Sequence, residues 1–370
     1  MKTRFVKVNL MLVAMLALIS FNSCASSSLL GDDLNSYQPH SDQSLLTVMS
    51  QQEMVELTIS TEMDSLLVKK KKVAYQPADF NYVDANGVVH NFQASVKPRG
   101  KFRRMTCEFP PLKLKFEKKE LEAAGLNDMN ELKLVTHCMD DKDLSKNLVL
   151  REYLMYKLYN ELTPNSFRVQ LAKITYIDKN DPNVRVVRLG FLIEDEEELS
   201  ARTNLTSLGD KMGVKPSELN PTHEKISTVF QYMIGNTDWS IEMLRNVELM
   251  QKPDGSVLPV PYDFDFAGTV AAPYARPNVD VGQRRVGERV FMGNSASAKE
   301  LYSTLSYFRS KKSVLLGIVD DFTMLDTDSR YQVKTYLEGF FNEIETQETA
   351  QAAIFEKKKE ETGTVLTQER

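Results

Sequence analysis

Apolar and polar positions alternate in a series of short stretches along the first half of the chain and repeat with a helical period in a few longer ones. Residues 54–60, MVELTIS, alternate as a strand. A short helix over 61–70 follows, with Thr61 as its cap and the lysines of 69–72 at its solvated end. Residues 73–83 and 88–97 read as a hairpin across Asp84-Ala85-Asn86-Gly87. Residues 112–116 put Leu112, Leu114 and Phe116 on one face and Lys113 and Lys115 on the other, and Lys133 is placed likewise in a strand over 132–135. A helix capped by Asp143 or Ser145 runs to Leu162, with Leu148, Met155, Leu158, Tyr159 and Leu162 as its apolar stripe. Arg151 and Glu152 fall inside that stripe or at its margin, and charges there need partners.

Residues 167–177 and 184–193 form a further antiparallel pair that runs into Glu194-Asp195-Glu196-Glu197-Glu198. Acids in a helix's first turn suit its dipole, and a hinge between two lobes would also lie here. Farther on, a helix ends before Gly235, and strands at 247–250 and 257–260 are joined by a turn at Asp254-Gly255. This ribbon brings Asn236, Asp238 and Asn246 to the same end as Asp263 and Asp265, around the one tryptophan, Trp239. Asp and Asn also cap helices and make Asx-turns, so each alone has a structural reading. The five together favour a polar site. Helices over 299–307, 311–325 and 328–359 complete the pattern, with Arg276, Arg284, Arg285 and Arg289 in the segment before them.

With 370 residues the chain is long enough for two domains or two lobes, and its 42% hydrophobic content suits a globular core rather than a disordered chain. Residues 1–23 read as a signal peptide: Lys2, Arg4 and Lys7 precede an apolar run over 8–21 that is short for a membrane span. Asn22-Ser23-Cys24 resembles a bacterial lipoprotein processing site with Cys24 as the lipidated residue; ordinary secretion and a retained anchor are the alternatives. Residues 24–50, rich in Ser, Asp and Gln, suit a tether. Loss of the three leader cations takes the formal charge from −5 to −8, which argues against nucleic acid as a partner. Cys107 and Cys138 remain, as a disulfide or as two buried thiols. The four histidines are scattered and no CxxC occurs, so nothing suggests zinc.

Against this acidic background, residues 97–119 hold nine basic side chains and two acids, centred on Arg99-Gly100-Lys101-Phe102-Arg103-Arg104. A solvated basic loop is the plain reading. An anion cradle is the other, with Gly100 letting backbone N–H groups approach a phosphate and Arg or Lys neutralising it.

Lys97-Pro98-Arg99-Gly100, the basic strand, Leu150-Arg151-Glu152-Tyr153, Gly190-Phe191-Leu192-Ile193-Glu194-Asp195, Gly235-Asn236-Thr237-Asp238-Trp239 with Asn246, and Pro261-Tyr262-Asp263-Phe264-Asp265 together resemble the spore-coat CotH family of atypical protein kinases. The likeness is closer still to lipoproteins of Bacteroidetes-type bacteria. It implies an α+β, two-lobed protein-kinase-like fold: an antiparallel-sheet N-lobe over 51–195, a mainly helical C-lobe over 196–360 and a frayed tail over 361–370. It also implies transfer of the γ-phosphoryl of ATP to a protein or other hydroxyl acceptor. Asp238 would then accept the acceptor's proton. Asn246 and Asp263 would hold Mg2+, with Asp265 as a further ligand or support. Arg99 and Gly100 would cover the phosphates, Lys113 or Lys115 would pair with Glu152, and Glu194 would mark the nucleotide-side hinge. Seven residues separate Asp238 from Asn246 where protein kinases have about four, which leaves Asn236 as an alternative ligand.

A lipid-anchored protein of the cell envelope meets little ATP. The alternative is therefore a non-catalytic envelope lipoprotein, a pseudokinase-like binding or scaffolding module. A surface hydrolase with Asp238 and Asp263 as paired carboxylates is a third reading.

Overall fold

The computed structural model describes residues 43–68 and 73–356. The signal peptide, Cys24, most of the tether, the lysines of 69–72 and the tail over 361–370 lie outside the described residues. Alternation of buried and open positions builds seven strands: β1 (Met54–Thr61), β2 (Gln76–Val83), β3 (Val89–Pro98), β4 (Leu112–Phe116), β5 (Glu131–Val135), β6 (Val169–Asp178) and β7 (Arg185–Ile193). Short helices α1 (Leu45–Met49), α2 (Met63–Val68), α3 (Phe102–Thr106) and α4 (Lys118–Ala123) lie among them, and the long α5 (Lys142–Leu162) joins β5 to β6. Thr61, expected as a helix cap, is the last residue of β1, and its hydroxyl donates to Pro77 O at 2.8 Å.

Neighbours pair antiparallel in the order β1-β2-β3-β4-β5-β7-β6, and β1 then pairs in parallel with β6, from Met54↔Leu171 to Thr61↔Asp178. The sheet therefore closes into a barrel. This overturns the expected architecture: the chain is α+β, but it builds a closed seven-stranded mixed barrel with helices rather than a two-lobed kinase-like fold with an antiparallel-sheet N-lobe. The cause is a pairing between distant segments, which no local alternation announces.

Phe80, Val96, Leu114, Phe116, Ile174 and Tyr176 fill the barrel. Leu45, Leu46 and Met49 of α1 join that core, so the stretch expected as tether up to residue 50 includes a packed helix. Strands β6 and β7 serve two cores at once. Ala172, Ile174 and Leu192 belong to the barrel interior, while Leu171, Phe191 and Ile193 belong to the helical core built on α5. At Gly190 a Cβ would come within 2.6 Å of both Ile174 Cδ1 and Val135 O, so the close passage of β7 requires glycine there.

Helix α5 is capped by Asp141, whose side chain accepts the Leu144 N–H at 2.9 Å, ahead of both caps expected from sequence, Asp143 and Ser145. All five residues of its expected stripe are buried. Arg151 leaves the stripe and donates to Ser329 Oγ at 2.9 Å and to Gln332 Oε1 at 2.6 Å. The rest of the chain supplies α6 (Glu196–Thr203), β8 (Thr206–Ser207), α7 (Pro221–Ile234), β9 (Val247–Gln251), β10 (Val257–Pro261), α8 (Tyr302–Asp321), α9 (Thr327–Glu343) and α10 (Gln347–Ala350). The order β10-β9-β8 makes a second, small sheet, and α7, α8 and α9 pack with α5 in the helical core. Where two helices were expected over 299–325, α8 runs unbroken because no Gly-Pro or turn cluster interrupts it; the helix expected over 328–359 instead stops after Glu343 and restarts with Thr346 as a cap.

Cys107 and Cys138 are disulfide-bonded across 31 residues, tying the end of α3 to the segment between β5 and α5. Closing a loop of that length adds roughly 3 kcal/mol. No helix among the described residues is long and apolar enough to cross a membrane.

Candidate functional site

Helix α7 ends at Gly235, in the left-handed conformation at φ 69°, where a Cβ would run into the Tyr336 hydroxyl. Asn236 organises the loop beyond it. Its Oδ1 accepts the Asp238 N–H at 3.0 Å, its Nδ2 donates to Gln231 Oε1 at 3.0 Å, and its carbonyl accepts the Trp239 indole N–H at 3.2 Å. The side-chain oxygen of Asn236 is thus spent on shaping the loop. Trp239 packs with Val214, Leu219, Val247, Leu249 and Val257 under the β9–β10 ribbon.

Asn246 donates to the Asp238 carbonyl at 2.6 Å and to Asp238 Oδ2 at 3.0 Å, while its own carbonyl accepts the Tyr262 N–H at 3.0 Å. The two strand ends at the open end of the ribbon are therefore locked to each other. The Asp238 side chain is 33% exposed, with Arg245 Nη1 at 3.8 Å from Oδ1. Burial raises its pKa; Arg245 and Asn246 pull it down, and Asp265 pushes it up again.

Past the ribbon, Phe264 is the anchor. It is fully buried, with ring centroids 4.7 Å from Tyr156 and 5.5 Å from Phe230, so truncation to Ala would cost about 3–5 kcal/mol. Its neighbours Asp263 and Asp265 both turn to one guanidinium, that of Arg103 on α3. Asp263 meets Arg103 Nη2 through Oδ1, and Asp265 Oδ2 lies 3.3 Å from Arg103 Nε. Glu152 on α5 completes the group, accepting from Arg103 Nη1 at 2.9 Å and Nη2 at 3.2 Å. Three carboxylates share one cation. Burial, with Asp265 close by, pushes the Glu152 carboxyl up to about 7 despite Arg103. Arg103 stays charged: burial opposes it, but Asp265 and Glu152 outweigh that.

The backbone around this site is unusual. Leu244, Asn246 and Asp263 hold φ of 49°, 52° and 61°, three of the five non-glycine residues with positive φ among those described. Asn and Asp tolerate this region; Leu does not readily. The Asp263 N–H donates to the Tyr156 hydroxyl at 2.8 Å, which helps to hold the conformation.

The expected pairing of Glu152 with Lys113 or Lys115 is corrected. Those lysines lie on the barrel's outer face and bind Glu131, at 2.5 Å and 3.2 Å, with Lys113 also 3.2 Å from Asp195. Strand alternation sets this, because Leu112 and Leu114 claim the interior. Lys133 is buried beside them, paired with Glu196 and 4.8 Å from the Phe167 ring centroid. Arg99 is half-buried; burial and the neighbouring Arg103 lower its pKa, while Tyr156, Tyr262 and Glu196 lie near enough to oppose this. Gly100, at φ 75°, turns the chain from β3 into α3 and is exposed. Glu194 is wholly buried and accepts from Arg168 Nε at 3.0 Å, the Arg168 backbone N–H at 2.7 Å and Arg202 Nη2 at 2.6 Å. Its oxygens are engaged away from the Arg103 group.

Among the described residues no three His, Cys, Asp or Glu side chains are grouped as a metal-binding set. The donor chemistry of Asn246 and Asp263 nevertheless fits magnesium, a hard cation that takes oxygen ligands. Asn246 commits its side-chain nitrogen to Asp238, which leaves its side-chain oxygen Oδ1; Asp263 meets Arg103 through Oδ1. Asp265 Oδ2, buried and ion-paired with Arg103 Nε at 3.3 Å but without a well-aligned hydrogen bond, is one more acceptor in a group with more negative than positive charge.

Sequence reasoning did not single out Arg103, Tyr156 or Arg245. The signal for Arg103 was present, since Glu152 on an apolar stripe demanded a cation and the basic segment offered several. No protein-family model matches this chain, and no curated protein matches it.

Proposed function

We propose that this chain is an exported phosphotransferase, anchored to the cell envelope through lipid on Cys24, that moves the γ-phosphoryl of ATP to a protein or other hydroxyl acceptor. The observation that carries this reading is the convergence of Asp238, Asn246, Asp263 and Asp265 at one end of the β9–β10 ribbon, against Arg103 from the basic segment. The disulfide suits an oxidising compartment outside the cytoplasm.

Asp238 is the base. Its partly open carboxylate, raised by burial, orients the acceptor hydroxyl and takes its proton as the new O–P bond forms and the bond to the leaving ADP breaks. Asn246 and Asp263 would hold magnesium, which when bound neutralises charge on the phosphate oxygens. Arg103 keeps Asp263 and Asp265 in place from the other side, and Arg99 supplies a further positive charge to the phosphates.

Asp238→Ala should abolish phosphoryl transfer from labelled ATP to acceptor proteins while leaving the magnesium-dependent thermal shift with ATP in place. If wild-type protein shows no shift with any nucleotide, the non-catalytic envelope module is the better reading. One observation favours that second reading: Arg103 already neutralises part of the carboxylate group without any ligand.

A further inference from the structure

Helix α3 carries two faces with opposite tasks. Arg103 turns inward to Glu152, Asp263 and Asp265, while Phe102 and Met105 stay 46% and 53% exposed. Phe102 does not stand alone. Its ring centroid lies 5.2 Å from Phe266 and 6.0 Å from Tyr274, and those two are 6.0 Å apart, so the three rings touch in a triangle. Phe266 follows Asp265 directly, and Tyr274 lines the same narrow cavity as Arg103, Glu152 and Asp265. The aromatic lip therefore continues from the carboxylate group to the surface.

Arg104 and Arg276 stand two positions beyond Phe102 and Tyr274 in the chain. Arg104 Nε is buried without a hydrogen-bond partner, and Arg276 Nη1 reaches only the carbonyls of Pro273 and Ala275, at 3.4 Å and 3.3 Å. Among the described residues neither guanidinium is paired with a carboxylate, in a chain with net charge −5. Exposed aromatic side chains and Met beside arginine are what interface centres are enriched in, and a patch of this kind marks a contact surface.

We propose that the lip of Phe102, Met105, Phe266 and Tyr274 docks the polypeptide that supplies the acceptor hydroxyl, gripping an aromatic or large aliphatic side chain flanked by acidic residues. The apolar side chain settles on the three rings, and its acidic neighbours meet Arg104 and Arg276. Identifying the docked chain as the acceptor rests on the phosphotransfer reading; the docking surface itself does not.

The test uses the full chain and a short labelled peptide carrying one phenylalanine, a serine and flanking glutamates, followed by fluorescence anisotropy. Wild type should bind it, and Phe102→Ser should weaken binding about tenfold or more, as loss of a central aromatic anchor does. Met105→Gln is a second variant should Phe102→Ser fold poorly. Arg104→Gln with Arg276→Gln should weaken binding and flatten its salt dependence. Replacing the peptide's phenylalanine by alanine should match Phe102→Ser. No binding by wild type, or binding indifferent to Phe102 and Met105, overturns the proposal. Binding that depends on Phe102 without transfer of phosphate to the serine upholds the surface and overturns the phosphotransfer reading.

Discussion

Glu194 and Asp265 are both carboxylates almost wholly out of water, and the chain treats them oppositely. Around Glu194, two arginines and a backbone N–H converge on one acid, and Arg168 also holds the neighbouring Glu198. Around Asp265, three acids converge on the single guanidinium of Arg103, Asp265 Oδ2 has only a 3.3 Å ion-pair contact with that guanidinium, and a residue of the same loop, Asp263, adopts a left-handed backbone. The first cluster is satisfied and ties β6, β7 and α6 together. The second is short of positive charge and conformationally costly, which is how sites that act on a ligand differ from sites that hold a fold.

The largest expected effect tests the first half of that contrast. Glu194→Ala leaves Arg168 and Arg202 facing an empty position in the interior and should destabilise the chain by about 3–5 kcal/mol in urea unfolding. A loss below about 1 kcal/mol, the scale of a surface ion pair, would erase the difference between the clusters.

Asp263→Asn comes next. Asn tolerates the same positive φ, and Arg103 retains two other carboxylates, so stability should change by about 1 kcal/mol or less. The magnesium-dependent thermal shift with ATP should nevertheless disappear. A large stability loss with the shift intact would make Asp263 a structural residue like Glu194.

The smallest effect is one of pH. Glu152 is raised from its ordinary value to about 7 by burial and Asp265, so the folded chain binds this proton more tightly than the unfolded chain. Stability from this group is fully present below about pH 4.5, the ordinary carboxyl value. It is lost as pH rises toward about 7. Wild type should therefore lose ground against Glu152→Gln across that window in paired unfolding curves. His137 and His223, both lowered to about 4 by burial, cost stability as pH falls from 6.5; they are common to both proteins and cancel in the difference. A flat difference curve would place Glu152 with the satisfied cluster.

Local chemistry made much of this legible from residues alone. Gly87 and Gly255 marked the two hairpin turns, and the apolar stripe of α5 was read correctly to Leu162. The convergence of Asp238, Asn246, Asp263 and Asp265 followed from the β9–β10 ribbon, because turn residues and alternation fix such a register locally. Two features were not legible, for one physical reason: both depend on segments far apart in the chain. The parallel pairing of β1 with β6 leaves no mark on either strand. That Glu152 needs a cation was legible, but which basic residue meets it was not, because Arg103 sits on a helix of five residues, too short to show a period.

Closure of the barrel bears on how copies of this chain could pair strand to strand. Each of the seven strands has a neighbour on both sides, so the ring has no edge strand along whose full length a foreign strand could grow; stretches that outrun a shorter partner, such as 89–93 of β3 and 185–190 of β7, keep one open side. The small sheet, by contrast, has two edge strands. One of them is the two-residue β8, and the other, β10, carries Pro259 and Pro261, which have no N–H to donate. Held at high local density, neighbouring copies would find little to add a strand to.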